Sequence, residues 1–498
     1  MRRIINISYR LPFSFVKTDS GVDVRQSAGG LVSAVLQMGP AAGGGKNLWV
    51  GCADFSKEEW GLFKSSEDDN FDYLPVFLPK KTNADFYYGF SNSVIWPLFH
   101  YFPSFVEYSE KQFGEYRRAN EIVCEKIVEV LRDDDIIWVH DYHFFMLPDL
   151  LRKKGVQNRI GFFLHIPFPS YELFRVLPKN CKELLLKGIL GADLVGFHAN
   201  DYALHFIRSV KMLLGYQHTL WQIECPDNRV CKIDVFPIST DFKKFNSAYD
   251  DPGVVQIREN EIRNVYKNRK VIFSVDRLDY TKGVLYRLKS FEYFLKQYPQ
   301  WHEKVVFIMV VVPSRDAIQK YWERRKDIEH TVSRINGLYS KLTWQPINYK
   351  YGSLSFEELC ALYTACNVAL ITPIRDGMNL VAKEFIASRK DEQGVLILSE
   401  TAGASHELGE AVLINPIDTV ECADKIDFAL NIPPDEQRRR MRDMQYLLRD
   451  NDINKWRDNF LGELTNVDGD ITKAVTTSLT PEKMNAILAQ FTGAAKRL

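Results

Sequence analysis

The sequence has no apolar run long enough to cross a membrane. The longest, VVFIMVVVP at Val305–Pro313, is far short of the ~20 residues a span needs. The amino terminus, MRRIINISYRLP, carries two arginines but no long apolar stretch behind them. It reads as a first β-strand and not as a signal peptide. No CxxC occurs among the eight cysteines, at 52, 124, 181, 225, 231, 360, 366 and 422. That density is too low for a disulfide scaffold. We read them as reduced thiols, including Cys225 and Cys231, which a hairpin could pair, and this predicts a cytoplasmic protein. Charge of one sign is also missing: 64 Lys+Arg balance 64 Asp+Glu. A zero balance argues against a broad nucleic-acid-binding face but leaves room for a local basic pocket. GxGxxG is absent, which leaves a dinucleotide oxidoreductase poorly supported, and GxSxG is absent, which removes the usual serine-hydrolase elbow. No His/Cys/Asp spacing resembles a zinc or iron site. GPAAGGGKN (39–47) misses the P-loop spacing by one, and Asn47 stands where Ser or Thr would hold Mg²⁺, so it reads as a surface loop.

What is present is a long alternation. The 498 residues suggest two to four domains at roughly 150 residues each. Strand candidates are IINIS (4–8), IIWVH (136–140), RIGFFLH (159–165), DLVGFH (193–198) and KIDVFPI (232–238), then KVIFSV (270–275), VVFIMVVV (305–312), VALITPI (368–374), GVLILS (394–399) and AVLINP (411–416). They are apolar nearly throughout, the pattern of parallel strands covered on both faces. Helix-period stretches lie between them, such as 114–132, 283–298 and 356–365. The chain is therefore α/β. Ten or more strands in one sheet would be unusually wide, so two sheets of five or six are expected. The polar TDFKKFNSAYDDPG (240–253) marks the division. Past residue 432 a charged helix carries Met441, Met444, Leu447 and Leu448 on one face, and Arg438–Arg440 on a solvated one. The acidic DDD (133–135) reads as a solvated turn between helix and strand.

Chemistry in an α/β protein gathers at the carboxyl ends of strands. Four segments sit there. WVHDYHFFMLP (138–148) carries His140, Asp141 and His143. FLHIPFPS (163–170) holds His165 in a loop stiffened by two prolines. SVDRLDYTKG (274–283) places Arg277 and Lys282 near a helix start, a cradle suited to a diphosphate. TPIRDGMNLVAKE (372–384) is a further strand–loop–helix. The glycine pair of AGGLVSAV (28–35) opens a helix whose bare amides could meet an anion, or could serve tight packing. Together these loops point to a cleft for a phosphorylated, polyhydroxylated ligand.

These segments, with RLP (10–12), FSNSVIWPLFHY (90–101), GADLVGFH (191–198), VPSR (312–315), LSETAGASHEL (398–408) and INPID (414–418), resemble the trehalose-6-phosphate synthase family of retaining glycosyltransferases, in order, from the first strand to about residue 420. The resemblance implies the GT-B fold, two Rossmann-like domains with parallel sheets facing across a central cleft. It divides the chain into residues 1–245 (acceptor side), 246–460 (nucleotide-sugar side) and a helical segment 461–498 packing back on the first domain. It implies UDP-glucose as donor, glucose 6-phosphate as acceptor, and α,α-trehalose 6-phosphate and UDP as products. By the same resemblance Arg10, Tyr87, Trp96 and Arg315 form the acceptor-phosphate pocket, and Asp141 meets acceptor hydroxyls. Gly30 approaches the donor by its backbone, and His165 touches the transferred glucose. Arg277 and Lys282 clamp the diphosphate, and Asp376 holds the donor sugar's hydroxyls. Met378, Asn379, Leu380 and Val381 present backbone to sugar and phosphate, and Glu384 meets the ribose. No metal or other cofactor is expected, nor any nucleic-acid or membrane partner. A homo-oligomer and a following phosphatase domain stay open, the latter because the ending GAAKRL is similar to the stretch leading into one in two-domain relatives.

The chain departs from that family at Tyr9, where Asn is usual, at WVGCADF (49–55) and at STDFKKF (239–245). These departures bear on the acceptor side and the hinge. Two other readings remain: a relative with another donor or acceptor, such as a glucosylglycerol-phosphate synthase, and a silent sugar-phosphate-binding paralogue. Retention of Arg277, Lys282 and Asp376 speaks against the second.

Overall fold

The computed structural model describes residues 2–18, 21–26, 32, 35–36, 45–61, 70–314 and 319–466. Two sheets organise them. The first has nine strands, in the spatial order Phe71–Val76, Asn47–Cys52, Ile4–Arg10, Ile136–His140, Arg159–Phe163, Leu194–Phe197, Val230–Val235, Gln222–Glu224 and His218–Thr219. All but the last two pairings are parallel. The second has six parallel strands, ordered Ile347–Tyr351, Val305–Val312, Lys270–Arg277, Val368–Ile371, Val395–Ser399 and Val412–Ile414. In chain order the second sheet reads 3-2-1-4-5-6, the doubly wound Rossmann order, and the first sheet begins the same way.

The first sheet is wider than the five or six strands expected. Asn47–Cys52 and Phe71–Val76 extend one edge. The latter, FDYLPV, contains a proline and polar residues, as an edge strand allows, and that composition hid it from an apolar-run search. The antiparallel ribbon ending in Val230–Val235 extends the other edge. The expected solvated turn at 133–135 is also corrected. Asp133 and Asp134 are exposed, but Asp135 is buried. It takes Arg3 at Nε (2.8 Å) and Nη2 (2.5 Å) and the Arg132 amide (2.8 Å). A buried carboxylate needs such partners, and Arg3 enters from the neighbouring strand.

The passage between the sheets runs through Phe236–Asp241. Helix Phe242–Ser247 already belongs with the second domain, where Phe242 and Phe245 join the core of Val271 and Phe273. The chain then returns. Helix Ile453–Asn466 lies on the first sheet, with Phe460 stacked on Trp138 at 4.9 Å and edge-on to Phe163 at 5.6 Å. Its fit depends on a missing side chain: a Cβ at Gly161 would stand 2.7 Å from the Phe460 ring. Residue 461, the start expected for the returning segment, falls inside this helix. The helix also ties down the passage, since the Trp456 indole donates to Phe236 O (3.2 Å) and Ile453 N to Thr240 O (3.1 Å). All eight cysteines are buried and free. Among the described residues no helix is long and apolar enough to cross a membrane.

Candidate active site

In each doubly wound sheet the strand order reverses at one point, and the carboxyl ends of the strands there open a crevice. In the first sheet that point lies between Ile4–Arg10 and Ile136–His140, so Arg10 and Asp141 stand at its mouth. In the second it lies between Lys270–Arg277 and Val368–Ile371, which presents Arg277 and the loop leading to Asp376. The two crevices face each other. A cavity of about 650 Å³ is lined by Tyr9, Arg10, Tyr87, Trp96, Asp141 and Arg277, among others. Five of the residues expected from the sequence thus meet in one place. Gly30 and Arg315, also expected here, lie outside the described residues.

Tyr87 sits on an eleven-residue π-helix, Asp85–Ile95, which runs on into Trp96–Phe99. Such wide turns are rare and concentrate at functional sites. Tyr9 clusters with two rings, stacked on Tyr87 at 4.3 Å and on His143 at 4.8 Å, which lie 5.7 Å from each other, while its hydroxyl donates to Asn83 Oδ1 (3.0 Å). Burial pushes its hydroxyl pKa well up. The Arg10 guanidinium lies 5.7 Å from the Tyr87 ring centre. Among the described residues neither Arg10 nor Arg277 forms an ion pair, so both cations are available to an anion. Asp141 has φ of 71°, a left-handed conformation that costs a non-glycine residue about 1–3 kcal/mol and gathers at functional sites. Its Oδ1 accepts from the His165 amide (3.3 Å).

The second domain contributes a cation–carboxylate pair. Lys282 Nζ lies 2.5 Å from Asp376 Oδ2, and Asn379 Nδ2 donates to the same oxygen (3.0 Å). Burial alone would push the Asp376 carboxyl up; Lys282, His100 and Asn379 together hold it below its ordinary value. Behind it Asp276 and Arg287 form a buried pair at 2.7 Å, and Arg287 Nε donates to Thr372 Oγ1 (2.9 Å), which braces the loop. Asn379, with φ of 80°, caps helix Leu380–Ser388 by accepting from Ala382 N (3.1 Å). The first-turn amides of Leu380 and Val381 have no acceptor within the helix, the usual condition of an anion site. Met378 is buried, and its carbonyl takes the Ala404 amide (2.7 Å). Glu384 accepts from the Tyr363 hydroxyl (3.0 Å), and burial raises its pKa. The domains touch at Gly377, where a Cβ would stand 2.4 Å from His165 O.

The structure adds Asn6 and His100, which the sequence reading left out, and gives His140 a partner on each side. His140 Nε2 meets Asn6 Oδ1 at 2.7 Å, and His140 Nδ1 meets His165 Nε2 at 3.1 Å. An amide oxygen can only accept, so His140 carries its proton on Nε2 and offers a lone pair at Nδ1. His165 must then donate from Nε2. Burial, then a neighbouring histidine (His165 for His140, His198 for His165), pushes each ring's pKa well below the ordinary value, so both are neutral. A polar Asn6 in the middle of IINIS was the available sequence signal. His100 donates from Nδ1 to Trp96 O (2.8 Å), and burial lowers its pKa to about 4. Among the described residues no three His, Cys, Asp or Glu side chains converge as a metal site.

A cleft between two Rossmann-like domains, with unpaired arginines on facing walls and a helix start beside a Lys–Asp pair, defines a GT-B glycosyltransferase. The profile of Glycosyltransferase family 20 matches residues 2–466, and the chain belongs to that family. It is 44% identical over 468 residues to a bifunctional trehalose-6-phosphate synthase/phosphatase of Thermoproteus tenax; the match covers 93% of this chain, which spans 63% of that relative's length. It is 40% identical over 477 residues to the UDP-forming alpha,alpha-trehalose-phosphate synthase of Schizosaccharomyces pombe, covering 94% of this chain and 91% of that one. Among solved structures, an E. coli trehalose-6-phosphate entity bound with UDP-2-fluoro glucose superposes with a TM-score of 0.83 at 34% identity, covering 93% of this chain and 99% of the other.

Proposed function

We propose that this chain moves glucose from UDP-glucose to glucose 6-phosphate with retention, giving α,α-trehalose 6-phosphate and UDP. The observation that carries the reading is the facing of Arg10, Tyr87, Trp96 and Asp141 by Arg277, with the Lys282–Asp376 pair in the second domain's strand-end loops. The names of the relatives support it. Arg10 and Arg315 receive the acceptor phosphate beside Tyr87 and Trp96, and Asp141 takes acceptor hydroxyls. Asp376 and His165 hold the donor glucose, and Gly30 lets it approach. Glu384 takes the ribose, and the backbone of Met378–Val381 lines the sugar and phosphates.

As the glycosidic bond breaks, negative charge builds on the β-phosphate of UDP. Arg277, Lys282 and the helix amides stabilise that charge without a metal. The acceptor hydroxyl attacks from the face the UDP leaves, and its proton passes to the departing phosphate oxygen. Configuration is kept without a glycosyl-enzyme. A sugar trapped covalently on Asp141 or Asp376 would defeat this course. The protein is read as cytoplasmic, and a phosphatase partner domain is in keeping with the bifunctional relative.

UDP release from UDP-glucose, with and without glucose 6-phosphate, tests the proposal. Release that requires glucose 6-phosphate and collapses in Lys282→Ala is expected. No release, with glucose 6-phosphate still bound, would move the reading to another donor or to a silent paralogue.

A further inference from the structure

A second cavity, of about 480 Å³, lies between His100–Phe105 of the first domain and the start of helix Val284–Gln297 in the second. Its walls are aromatic: Tyr101, Phe102, Phe105, Tyr280 and Tyr286. Tyr280 stands edge-on to Phe102 at 4.9 Å and to Phe105 at 5.0 Å. Two arginines line it, Arg324 and Arg375. Neither has an ion pair or side-chain hydrogen bond among the described residues. Neighbours on the same helix as Arg324 are committed, Arg325 to Glu329 and Arg334 to Glu292. Arg375 lies 3.8 Å over the Tyr101 ring, and its Nε is buried without a partner. The carboxylate in the wall, Asp279, is already engaged by Thr281 N (2.9 Å) and the Tyr321 hydroxyl (3.0 Å). Two uncompensated guanidinium groups in an aromatic recess are costly unless an anion joins them.

We propose that this cavity binds a phosphomonoester of ring-bearing, monosaccharide-to-nucleotide size. Arg324 and Arg375 hold the phosphate by charge-assisted hydrogen bonds, and the aromatic walls cover the ring. The cavity is separate from the catalytic cleft, since Arg10, Asp141 and Arg277 do not line it. Yet it shares loops with it: Tyr280 and Gly283 flank Lys282, and Arg375 precedes Asp376. An occupant bridges both domains and leans on the loops that carry the Lys282–Asp376 pair. Its binding is therefore coupled to donor binding, and the donor affects it reciprocally. This coupling rests on the glucosyl-transfer reading above; the binding site itself does not.

The test uses calorimetry on the full chain carrying Arg10→Ala and Lys282→Ala, which removes one phosphate-binding side chain from each wall of the cleft and leaves Arg277 and Arg315. Probes are inorganic phosphate, ribose 5-phosphate and adenosine monophosphate. At least one ester should bind with a Kd below about 1 mM and more tightly than inorganic phosphate. Which ester binds more tightly tells sugar phosphate from nucleotide. Adding Arg324→Ala, or separately Arg375→Ala, should weaken binding about tenfold or more. In the otherwise unaltered chain, Arg324→Ala should leave basal UDP release unchanged and abolish the ester's shift of the UDP-glucose KM. Binding that vanishes in the Arg10→Ala/Lys282→Ala chain, or that survives both arginine changes undiminished, overturns the proposal, as does inorganic phosphate binding as tightly as both esters. Intact ester binding without UDP release would count against the catalytic reading alone; UDP release without ester binding would count against this one alone.

Discussion

His140 Nδ1 lies 3.1 Å from His165 Nε2, and the far side of the His140 ring rests on Asn6 Oδ1 at 2.7 Å. An amide buried in a strand thereby sets which nitrogen of His165 carries the proton. The remaining nitrogen, Nδ1, is left with its lone pair as an acceptor. We expect ¹⁵N chemical shifts to show His140 protonated at Nε2 and His165 at Nε2. Asn6→Leu should release both tautomers and lower kcat/KM by about tenfold, the equivalent of one lost hydrogen bond. Shifts showing His165 protonated at Nδ1 would refute the relay.

The diphosphate clamp makes a larger prediction. Arg277→Ala or Lys282→Ala should each lower kcat by ~10²–10³, the usual cost of one lost oxyanion stabiliser. Arg10→Ala should instead act mainly on the KM for glucose 6-phosphate. Steady-state kinetics with each substrate varied separates the two. Because the proposal gives the leaving charge to side chains and amides, turnover in excess EDTA should match turnover without it.

Stability should fall on mild acidification. His100 is buried and neutral with its pKa lowered from 6.5 to about 4. The unfolded chain therefore binds a proton there that the folded chain refuses. Stability from this group is fully present above pH 6.5 and is lost as the pH falls toward 4, at up to about 1.4 kcal/mol per pH unit. Urea unfolding at pH 7.5, 6.5 and 5.5 should show at least that slope, since His140 and His165 are buried neutral in the same way, and His100→Asn should reduce it by the share of one histidine. An equal slope in both proteins would assign the loss elsewhere.

The returning helix should be needed for the first domain. Phe460 packs on Trp138, Phe163 and Phe236, within 4.9–5.6 Å of each ring. Phe460→Ala should cost about 3–5 kcal/mol, as for other buried phenylalanines, read as a shift in the urea midpoint.

Some elements are legible in the sequence itself. IIWVH and VVFIMVVV are strands at the residues expected, and helix Phe356–Ala365 has the expected bounds, because strands covered on both faces must be apolar throughout. Phe71–Val76 and the ribbon at His218–Glu224 were not legible; short or polar edge strands owe their place to a neighbour's open hydrogen bonds and not to their own pattern. Asp135 was misread for the same reason, since the partner that makes its burial tolerable, Arg3, is 132 residues away.

The same division holds for the site. The sequence by itself determined which residue types stand at the carboxyl ends of strands, so Asp141, Arg277 and Lys282 could be named from local spacing, and Arg10 from the resemblance. Only the tertiary structure decided how they pair: Lys282 with Asp376, Tyr9 stacked on Tyr87 and His143, Asn6 behind His140, and Arg375 over Tyr101 without a counter-ion among the described residues. Those contacts join segments 134 residues apart for Asn6 and His140 and farther still for Arg375 and Tyr101, and a contact across such a distance is set by the packing of sheets and domains, which no local pattern encodes.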